Sequence, residues 1–361
     1  MPAKKKVPLL LPFLIWLFVA LLFGELLAKL ILMHGQGASA HYSANWEMRS
    51  VSEAFHINLW SEPWLNYRPG AEVSHENEGQ TYVATINSLG FRGEAFDSVE
   101  DQKVVKIVCI GGSTTVNGPT DGETYPALLE KFINQRSAAK LVKVLNCGIA
   151  GMDSGSYGRT LSRLGDNGIV PDLAIEYNGI NSICWKLFPY WESKLNGMQK
   201  LLLKSNLVRS VLGDLFVPTE AQVIRDLHRF CIEDLERLRV ELERNQTKLG
   251  VASFCVPDPR LASGKESSYL NHNLRYWWKS NYISYTKLFE IIQLYNKELR
   301  ETFADSDVFF LPLAESGGFL PEDFFDICHM KPEGVEKKAY LLSRLVQPML
   351  EEEFSESAEN I

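Results

Sequence analysis

The sequence lacks the features that identify several classes of protein. Beyond the three lysines at residues 4–6 it has no basic run, and 45 acidic residues outnumber 37 basic ones, for a formal charge of −8. A surface that binds nucleic acid normally needs clustered lysine and arginine, so we expect no nucleic-acid partner. No collagen, heptad or solenoid repeat is present, which argues against a repeat array.

Several catalytic and binding motifs are also missing. The six cysteines contain no Cys-x-x-Cys pair, so their spacing does not indicate a zinc site. Thr115 stands two residues after Ser113, where a Gly-x-Ser-x-Gly elbow has glycine, which argues against the α/β-hydrolase fold. The Gly-Lys-Ser/Thr of a P-loop is absent too. We expect no metal and no cofactor, and we expect most cysteines to be free buried thiols.

A long apolar segment lies near the N-terminus. Residues 7–24 are apolar, and residues 26–33 continue the run with Lys29 as their one charge. About 20 apolar residues suffice to cross a bilayer as a helix, and the preceding lysines favour a cytoplasmic N-terminus. We predict a single-pass membrane anchor over residues 1–33, with the rest of the chain periplasmic or extracellular. A signal peptide cleaved near residues 38–40 and a buried soluble helix stay open as alternatives.

The rest of the chain divides into three predicted parts. Residues 34–55 are polar and mixed and predict a spacer. Residues 56–100 are rich in Trp, Tyr, Asn and Gly, with a strand-like stretch at 80–86, and predict a small β extension. Residues 101–355 alternate strand and helix patterns and predict the main domain.

The sequence pattern of the main domain predicts a parallel sheet between two layers of helices. Apolar strand-like runs lie at residues 104–110, 141–145, 173–177, 251–256 and 308–313. Helical spacing lies at residues 123–137, 156–164, 219–249, 283–302 and 332–353. This alternation is typical of an α/β three-layer sandwich with a five-stranded parallel sheet. Such sheets carry their active sites at the carboxyl ends of the strands.

Chemically capable residues follow four of these strands. A nucleophilic serine needs a base such as histidine, and the histidine needs a carboxylate to fix its tautomer. Glycine N–H groups and asparagine amides are suitable donors to an oxyanion. In chain order, Ser113 and the two glycines before it follow the first strand, and Asn146 to Gly151 follow the second. Asn178 to Asn181 follow the third strand, and Asp326 and His329 follow the fifth.

Each of these features alone also has a purely structural explanation. Residues 111–115 would suit a helix N-cap or a phosphate-binding loop. The Asn- and Gly-containing stretches would suit plain turns, and an Asp-x-x-His pair is common. Their joint position at the carboxyl ends of the strands favours one site over four unrelated turns.

The four stretches resemble the sequence blocks of the SGNH hydrolases, the GDSL-type esterases and acylhydrolases. The resemblance covers residues 104–350 and includes His-Met-Lys-Pro-Glu-Gly at 329–334. It implies a flavodoxin-like fold with Ser113 as nucleophile, His329 as general base and Asp326 as the residue that orients it. It also implies an oxyanion hole formed by the N–H groups of Ser113 and Gly151 and the side chain of Asn181.

Two positions depart from the family pattern. Position 112 is glycine where the family name implies aspartate, and position 182 is serine where aspartate usually follows the asparagine. The second departure bears on how Asn181 is oriented. Residues 86–96, with Gly-Phe-Arg-Gly, resemble the β extension that precedes the hydrolase domain in some envelope-associated members.

The sequence leaves the substrate open. Such a site outside the cytoplasm suits acyl esters, O-acetyl esters in particular, of a carbohydrate or a lipid. Aromatic residues at 185–191 and 276–278 are compatible with sugar stacking, core packing or lipid contact. An acyltransferase and a degenerate binding or assembly module in envelope polysaccharide export stay open as other functions. The oligomeric state is not indicated.

Overall fold

A computed structural model describes residues 10–42, 67, 69–77, 80–95, 104–136, 141–276, 278 and 282–354. The predicted basic tip, residues 43–55 of the predicted spacer and the first part of the predicted extension lie outside these residues. The boundaries of the four parts of the chain therefore stay predictions.

The N-terminal apolar segment forms helix α1 (Leu10–Tyr42). Several of its large side chains are exposed, among them Trp16 and Phe23. The carboxylate of Glu25 accepts hydrogen bonds from the backbone and side-chain N–H groups of Asn206 at 2.8 and 2.9 Å, which attaches α1 to the main domain. Within the part of the chain that the structure describes, no helix is both long and apolar enough to cross a bilayer, so the predicted transmembrane anchor is not supported.

A hairpin precedes the main sheet. Strands β1 (Glu72–Asn77) and β2 (Gln80–Thr85) are antiparallel, with Glu72 opposite Thr85. The sequence predicts β2 almost to its ends. It does not predict β1, because Glu-Val-Ser-His-Glu-Asn has one apolar residue and no alternation.

The main sheet has five parallel strands, as the sequence predicts. They are β3 (Val104–Gly111), β4 (Leu141–Gly148), β5 (Leu173–Tyr177), β6 (Lys248–Ala252) and β7 (Phe309–Leu311). Their order is β4-β3-β5-β6-β7, so the sheet grows from β3 first to one side and then to the other. The reversal leaves a crevice at the carboxyl ends of β3, β4 and β5.

The predicted boundaries of the fourth strand of the sheet are wrong. The strand covers residues 248–252 rather than the predicted 251–256, and Gly250 lies inside it. Glycine in a sequence suggests a break, but here it serves packing. A Cβ at Gly250 would lie 3.2 Å from Leu311 Cδ1, so the glycine leaves room for the neighbouring edge strand.

Helices cover both faces of the sheet. α3 and α14 pack together, as right-handed crossovers require for helices on the same face. The helices beyond α1 are α2 (Ser113–Val116), α3 (Tyr125–Asn134), α4 (Tyr157–Asp166), α5 (Ile180–Ser182), α6 (Phe188–Lys194), α7 (Gly197–Leu202), α8 (Asn206–Leu212), α9 (Glu220–Leu227), α10 (Glu233–Arg244), α11 (Gly264–Tyr276), α12 (Tyr285–Phe303), α13 (Leu313–Ser316) and α14 (Pro332–Phe354).

Some helical regions differ from what the sequence predicts. The single helix predicted over 219–249 consists of α9, a π-helical turn at His228–Ile232 and α10, which ends before β6. Residues 258–282, for which the sequence predicts no element, contain α11. The core between sheet and helices is apolar, and its six cysteines are free and buried, as predicted.

The β extension braces two loops of the main sheet. The buried side chain of Arg92 donates from Nε to Asp121 Oδ1 and from Nη1 to Val116 O, both at 2.9 Å. The hydroxyl of Tyr67 accepts the backbone N–H of Ala150 at 2.9 Å. Val116 ends α2 and Ala150 lies in the loop after β4, so the extension holds both sides of the crevice.

Candidate active site

Ser113 lies at the carboxyl end of β3, as the first residue of α2. The turn needs glycine at both preceding positions. A Cβ on Gly111 would lie 2.4 Å from Tyr177 O, and one on Gly112 would lie 2.3 Å from Asn181 Nδ2. The two glycines therefore let the backbone before the serine pack directly against β5 and against Asn181.

His329 and Asp326 lie on the loop before α14 and reach Ser113. The distance from Ser113 Oγ to His329 Nε2 is 2.7 Å, and that from His329 Nδ1 to Asp326 Oδ2 is also 2.7 Å. The other oxygen of Asp326 accepts the backbone N–H groups of Cys328 and His329 at 2.9 and 2.7 Å. One carboxylate thus fixes both the loop and the imidazole ring.

The surroundings keep the carboxyl of Asp326 ionised. Burial raises the pKa of Asp326, but His329 and the two backbone donors outweigh burial, so the pKa lies below its ordinary value. An ionised carboxylate only accepts hydrogen bonds, so Nδ1 of His329 carries a proton and Nε2 faces the hydroxyl of Ser113 as an acceptor. A histidine base requires this tautomer.

Asn181 lies in α5, directly after β5, with its amide against Gly112. The side chain is buried, and Nδ2 donates to Met152 O at 2.7 Å. An amide nitrogen carries two hydrogens, and this bond uses one. The structure places the Asn181 amide beside Gly112, the residue that precedes Ser113.

Gly151 lies in the loop after β4, with the left-handed φ of +78° that favours glycine. The loop is attached to the sheet by the N–H of Ile149, which donates to Gly111 O at 3.0 Å. A Cβ at Gly151 would meet nothing within 4 Å, so the space above it is open. Gly148, the last residue of β4, packs tightly against the backbone of α2.

Ser182, the departure from the family pattern, belongs to a buried polar network. Its Oγ is 3.0 Å from Ser154 Oγ, which donates to Asp234 Oδ2 at 3.0 Å. Lys186 Nζ lies 3.1 Å from the same carboxylate oxygen and 2.7 Å from Asp153 Oδ1. The network ties the helical stretch after β5 to the loop after β4. A carboxylate from α10 is therefore present although position 182 lacks one.

A buried polar chain behind Asn181 was missed from the sequence. Tyr157 OH donates to Glu176 Oε1 at 2.7 Å and accepts from Asn178 Nδ2 at 2.9 Å. The same Nδ2 donates to Met152 O at 2.8 Å, the carbonyl that also holds Asn181. Burial raises the pKa of Glu176 to about 8, against the hydrogen bond from Tyr157, which lowers it. The one signal was a lone carboxylate in the otherwise apolar β5.

Lys338 of α14 was missed as well. It is buried, and its Nζ donates to Thr114 O at 2.8 Å, next to Ser113. The ammonium group lies 4.2 and 4.5 Å from the ring centres of Tyr125 and Tyr177. Burial lowers the pKa of Lys338 to about 7. Its neighbours in sequence, Glu-Lys-Lys, are typical of an exposed helix face and gave no signal.

Two tryptophans line the site beside His329. The ring centre of Trp278 is 6.3 Å from that of His329 and 6.0 Å from that of Trp185. Trp185 is 45% exposed and Trp278 is 8% exposed. Of the other aromatic residues singled out from the sequence, Trp191 is buried in the core and Trp277 lies outside the described residues.

One group of side chains within the described residues has the composition of a metal site. Asp326, Cys328 and His329 place their ligand atoms within 4.8 Å of one another. Cys328 Sγ lies 3.6 Å from His329 Nδ1. The nitrogen and the carboxylate are the same atoms that orient the imidazole toward Ser113, so the cluster is accounted for by the hydrogen bonds it forms. The absence of a metal stays a prediction.

The site contains the groups that attack on an ester carbonyl requires. A hydroxyl, an imidazole and a carboxylate are hydrogen bonded in series, and an amide and a loop with an open glycine flank the hydroxyl. This combination of nucleophile, base, orienting group and donors suits acyl transfer.

Known protein-family models do not match this chain, and no curated protein matches it. Among solved structures it is similar to an alpha/beta hydrolase enzyme from the metagenome of Lake Arreo, with 14% identity over 67% of this chain and 94% of that one and a TM-score of 0.43. A carbohydrate acetylesterase family member from Sinorhizobium meliloti is 13% identical over 69% of this chain and 98% of that one, with a TM-score of 0.39. The lipase/acylhydrolase from Enterococcus faecalis is 15% identical over 68% of this chain and 96% of that one, with a TM-score of 0.39. With TM-scores below 0.5, these likenesses carry no inference about activity.

Proposed function

We propose that this chain is a serine ester hydrolase of the SGNH type. The observation that carries the proposal is the series of two 2.7 Å hydrogen bonds that joins Ser113, His329 and Asp326. A serine hydroxyl is a weak nucleophile, and a base within hydrogen-bond reach activates it. The position at the carboxyl ends of parallel strands supports the same conclusion.

The reaction proceeds in two halves. Ser113 Oγ attacks the carbonyl carbon of the ester while His329 Nε2 takes its proton. The tetrahedral intermediate expels the alcohol, which receives that proton, and an acyl-serine remains. Water then attacks the acyl carbon as His329 removes its proton. The second tetrahedral intermediate breaks its bond to Ser113 Oγ, which takes that proton back from His329, and the acid leaves. Asp326 stays ionised and stabilises the imidazolium in both halves.

The oxyanion is held by the backbone N–H groups of Ser113 and Gly151 and by the side-chain amide of Asn181. The open space above Gly151 and the amide nitrogen next to Gly112 support this assignment. Donors fixed before the reaction stabilise the developing charge without reorganisation, and each contributes about 10²–10³ in rate.

The substrates are acyl esters, O-acetyl esters in particular, of a carbohydrate or lipid outside the cytoplasm. The half-buried Ser113 and the exposed Trp185 support a cleft that admits the edge of a larger molecule. An activated serine in an open cleft suits removal of short acyl groups from a bulky alcohol.

The main domain lies on the extracytoplasmic side of a membrane that α1 contacts. The exposed apolar side chains of α1, Trp16 and Phe23 among them, support contact with lipid. Membrane fractionation should recover the full chain with the membranes, and protease added outside spheroplasts should digest the main domain. Recovery in the soluble fraction contradicts this location.

Hydrolysis of p-nitrophenyl acetate tests the proposed chemistry, because this ester makes no demand on the alcohol. The wild-type protein should hydrolyse it, and Ser113→Ala and His329→Ala should each lose about 10³-fold or more in kcat. Ser193→Ala, which removes an exposed serine hydroxyl, is the matched control and should keep the wild-type rate. Equal rates for wild type and Ser113→Ala contradict the proposal. Acetyl transfer to an added alcohol in excess of hydrolysis would assign the site to an acyltransferase.

A further inference from the structure

Trp185 points out of a helical stretch whose other apolar side chains are buried. It lies in the middle of the π-helical turn Ile183–Leu187, directly after α5, and is 45% exposed, whereas Ile183, Cys184 and Leu187 are 2% exposed or less. Burial of a large apolar ring is favourable, so packing alone would turn it inward. π-helical turns occur frequently at functional sites. The position of this ring therefore indicates a use at the surface.

Trp278 supports the exposed ring from behind. Its own ring is almost completely buried and lies between the rings of Trp185 and His329, at 6.0 and 6.3 Å between centres. Ring contacts at these distances are favourable and fix orientation. The ring of Trp185 is therefore joined to the imidazole of His329 through the ring of Trp278.

Charged groups are present on the segments that carry Trp185 and Gly151. Lys186, the next residue, forms an ion pair with Asp153 at 2.7 Å, and the two side chains are 28% and 24% exposed. Asp153 follows the loop that carries Gly151. An ammonium and a carboxylate can bond to hydroxyl groups, which an aliphatic chain does not offer. An exposed aromatic face on a segment that also carries such a group is complementary to a sugar ring, which has apolar C–H faces and polar edges.

We propose that Trp185 is a platform on which the sugar ring of an acylated carbohydrate stacks, while its ester lies over Ser113. Trp278 is the positioning residue that holds the platform beside His329. This inference rests on the proposed function, because it assigns the alcohol of the ester that Ser113 attacks. The ligand class is a pyranose that carries a short acyl group.

The test compares three esters: p-nitrophenyl acetate without a sugar, p-nitrophenyl octanoate with a longer chain, and glucose pentaacetate. Trp185→Ala should lower kcat/KM for glucose pentaacetate about tenfold, mainly through KM, which is the size of an aromatic stacking contact. The kcat/KM of Trp185→Ala for p-nitrophenyl acetate should stay within about twofold of the wild-type value. Trp185→Phe should retain most of the activity on the sugar ester, whereas Trp185→Leu, equally apolar but without a ring, should behave like Trp185→Ala.

The controls separate this inference from the proposed function. Tyr340→Ala removes an exposed aromatic ring of α14 and should change none of the three activities. Suppose that wild type hydrolyses p-nitrophenyl acetate. The assignment of Trp185 as a platform is then wrong if its variants change the activity on all three esters equally, if they change only the activity on the octanoate, or if Trp185→Leu keeps wild-type activity on the sugar ester. None of these results affects the proposed ester hydrolysis. No hydrolysis of p-nitrophenyl acetate by folded wild type overturns both.

Discussion

Position 112 shows how closely the residues of the site are packed. The position is glycine where the family name implies aspartate, and the structure gives a physical reason. A Cβ there would lie 2.3 Å from Asn181 Nδ2 and 3.3 Å from Met152 O. Any side chain at 112 must therefore displace the amide that we assign to the oxyanion. Gly112 and Asn181 therefore depend on each other, because the glycine leaves the space that the asparagine amide occupies.

Gly112→Ala should lower kcat for p-nitrophenyl acetate about 10²-fold, because the new methyl group displaces the Asn181 amide and one oxyanion donor is lost. Steady-state kinetics measure the change, and circular dichroism checks that the variant folds. Gly165→Ala, where a Cβ would meet nothing within 4 Å, should keep wild-type kinetics. A Gly112→Ala protein with full activity would remove Asn181 from the site.

The residues whose roles the sequence identified differ in kind from Lys338, which it missed, and from Trp185, whose role it left open. Ser113 and His329 follow apolar strands, and their positions depend on the topology of a parallel sheet, which the strand pattern predicts. Lys338 and Trp185 act through the tertiary contacts of single side chains. The local sequence of Lys338 is that of an exposed helix face, and that of Trp185 is also compatible with core packing. Nothing in the sequence separates these possibilities, because burial is decided by elements distant along the chain.

Among the elements, the β extension has a direct connection to the site. Arg92 joins the extension to the end of the nucleophile helix through Val116 O, and Asp121 accepts from both Arg92 and Thr85 of β2. The side chain of Arg92 is 2% exposed and that of Asp121 is 26% exposed, so this ion pair is largely desolvated. The extension is therefore part of the folded unit that supports Ser113.

Arg92→Met should lower the free energy of unfolding by about 3 kcal/mol, because it leaves Asp121 without its buried partner. Urea denaturation measures the loss. Arg260→Met makes the same change in the ion pair with Asp258, where the arginine is 77% exposed, and should leave the free energy of unfolding nearly unchanged. Similar losses for the two variants would show that the extension does not brace the domain.

Elements were predictable where one pattern dominated. Apolar runs predicted all five strands of the main sheet, and period-3.6 spacing predicted the long helices. β1 and α11 were missed because their sequences are mostly polar. The π-helical turns were missed because an inserted residue leaves no distinct pattern in the sequence. β6 was misplaced because a glycine that serves packing resembles a break.

On the scale of the whole molecule, Lys338 links the C-terminal helix to the turn that carries Ser113. Its amine is enclosed by the rings of Tyr125 and Tyr177 and bonds to Thr114 O. Burial disfavours the ammonium form and lowers the pKa of Lys338 to about 7, from 10.5 when the chain is unfolded. Between these values the unfolded chain binds a proton that the folded chain lacks, so this group makes stability rise with pH.

The difference in unfolding free energy between wild type and Lys338→Met should therefore grow in favour of wild type by about 2 kcal/mol from pH 8 to pH 9.5. Urea denaturation at the two pH values measures it, and the subtraction removes other titrating groups. The same difference for Lys297→Met, an exposed lysine of α12, should stay constant. A constant difference for Lys338→Met would show that its amine is solvated in the folded protein.

The whole-molecule arrangement was predictable in part. The alternation of strands and helices predicted a five-stranded parallel sheet with a site at its carboxyl edge. The bracing of the site by the extension was not predictable, because Arg92 and Tyr67 lie in a segment with little regular pattern and their partners are distant in sequence. The predicted transmembrane anchor is the expectation that the described residues do not support.

Covalent labelling with a fluorophosphonate tests the activated serine most directly, because the reagent reacts with a hydroxyl only where a base and an oxyanion site assist it. Intact-mass and peptide mass spectrometry should show one adduct per chain, on Ser113. The adduct should be absent from Ser113→Ala and form far more slowly on His329→Ala. A folded wild-type protein that stays unlabelled, or labelling that persists in Ser113→Ala, would contradict the account.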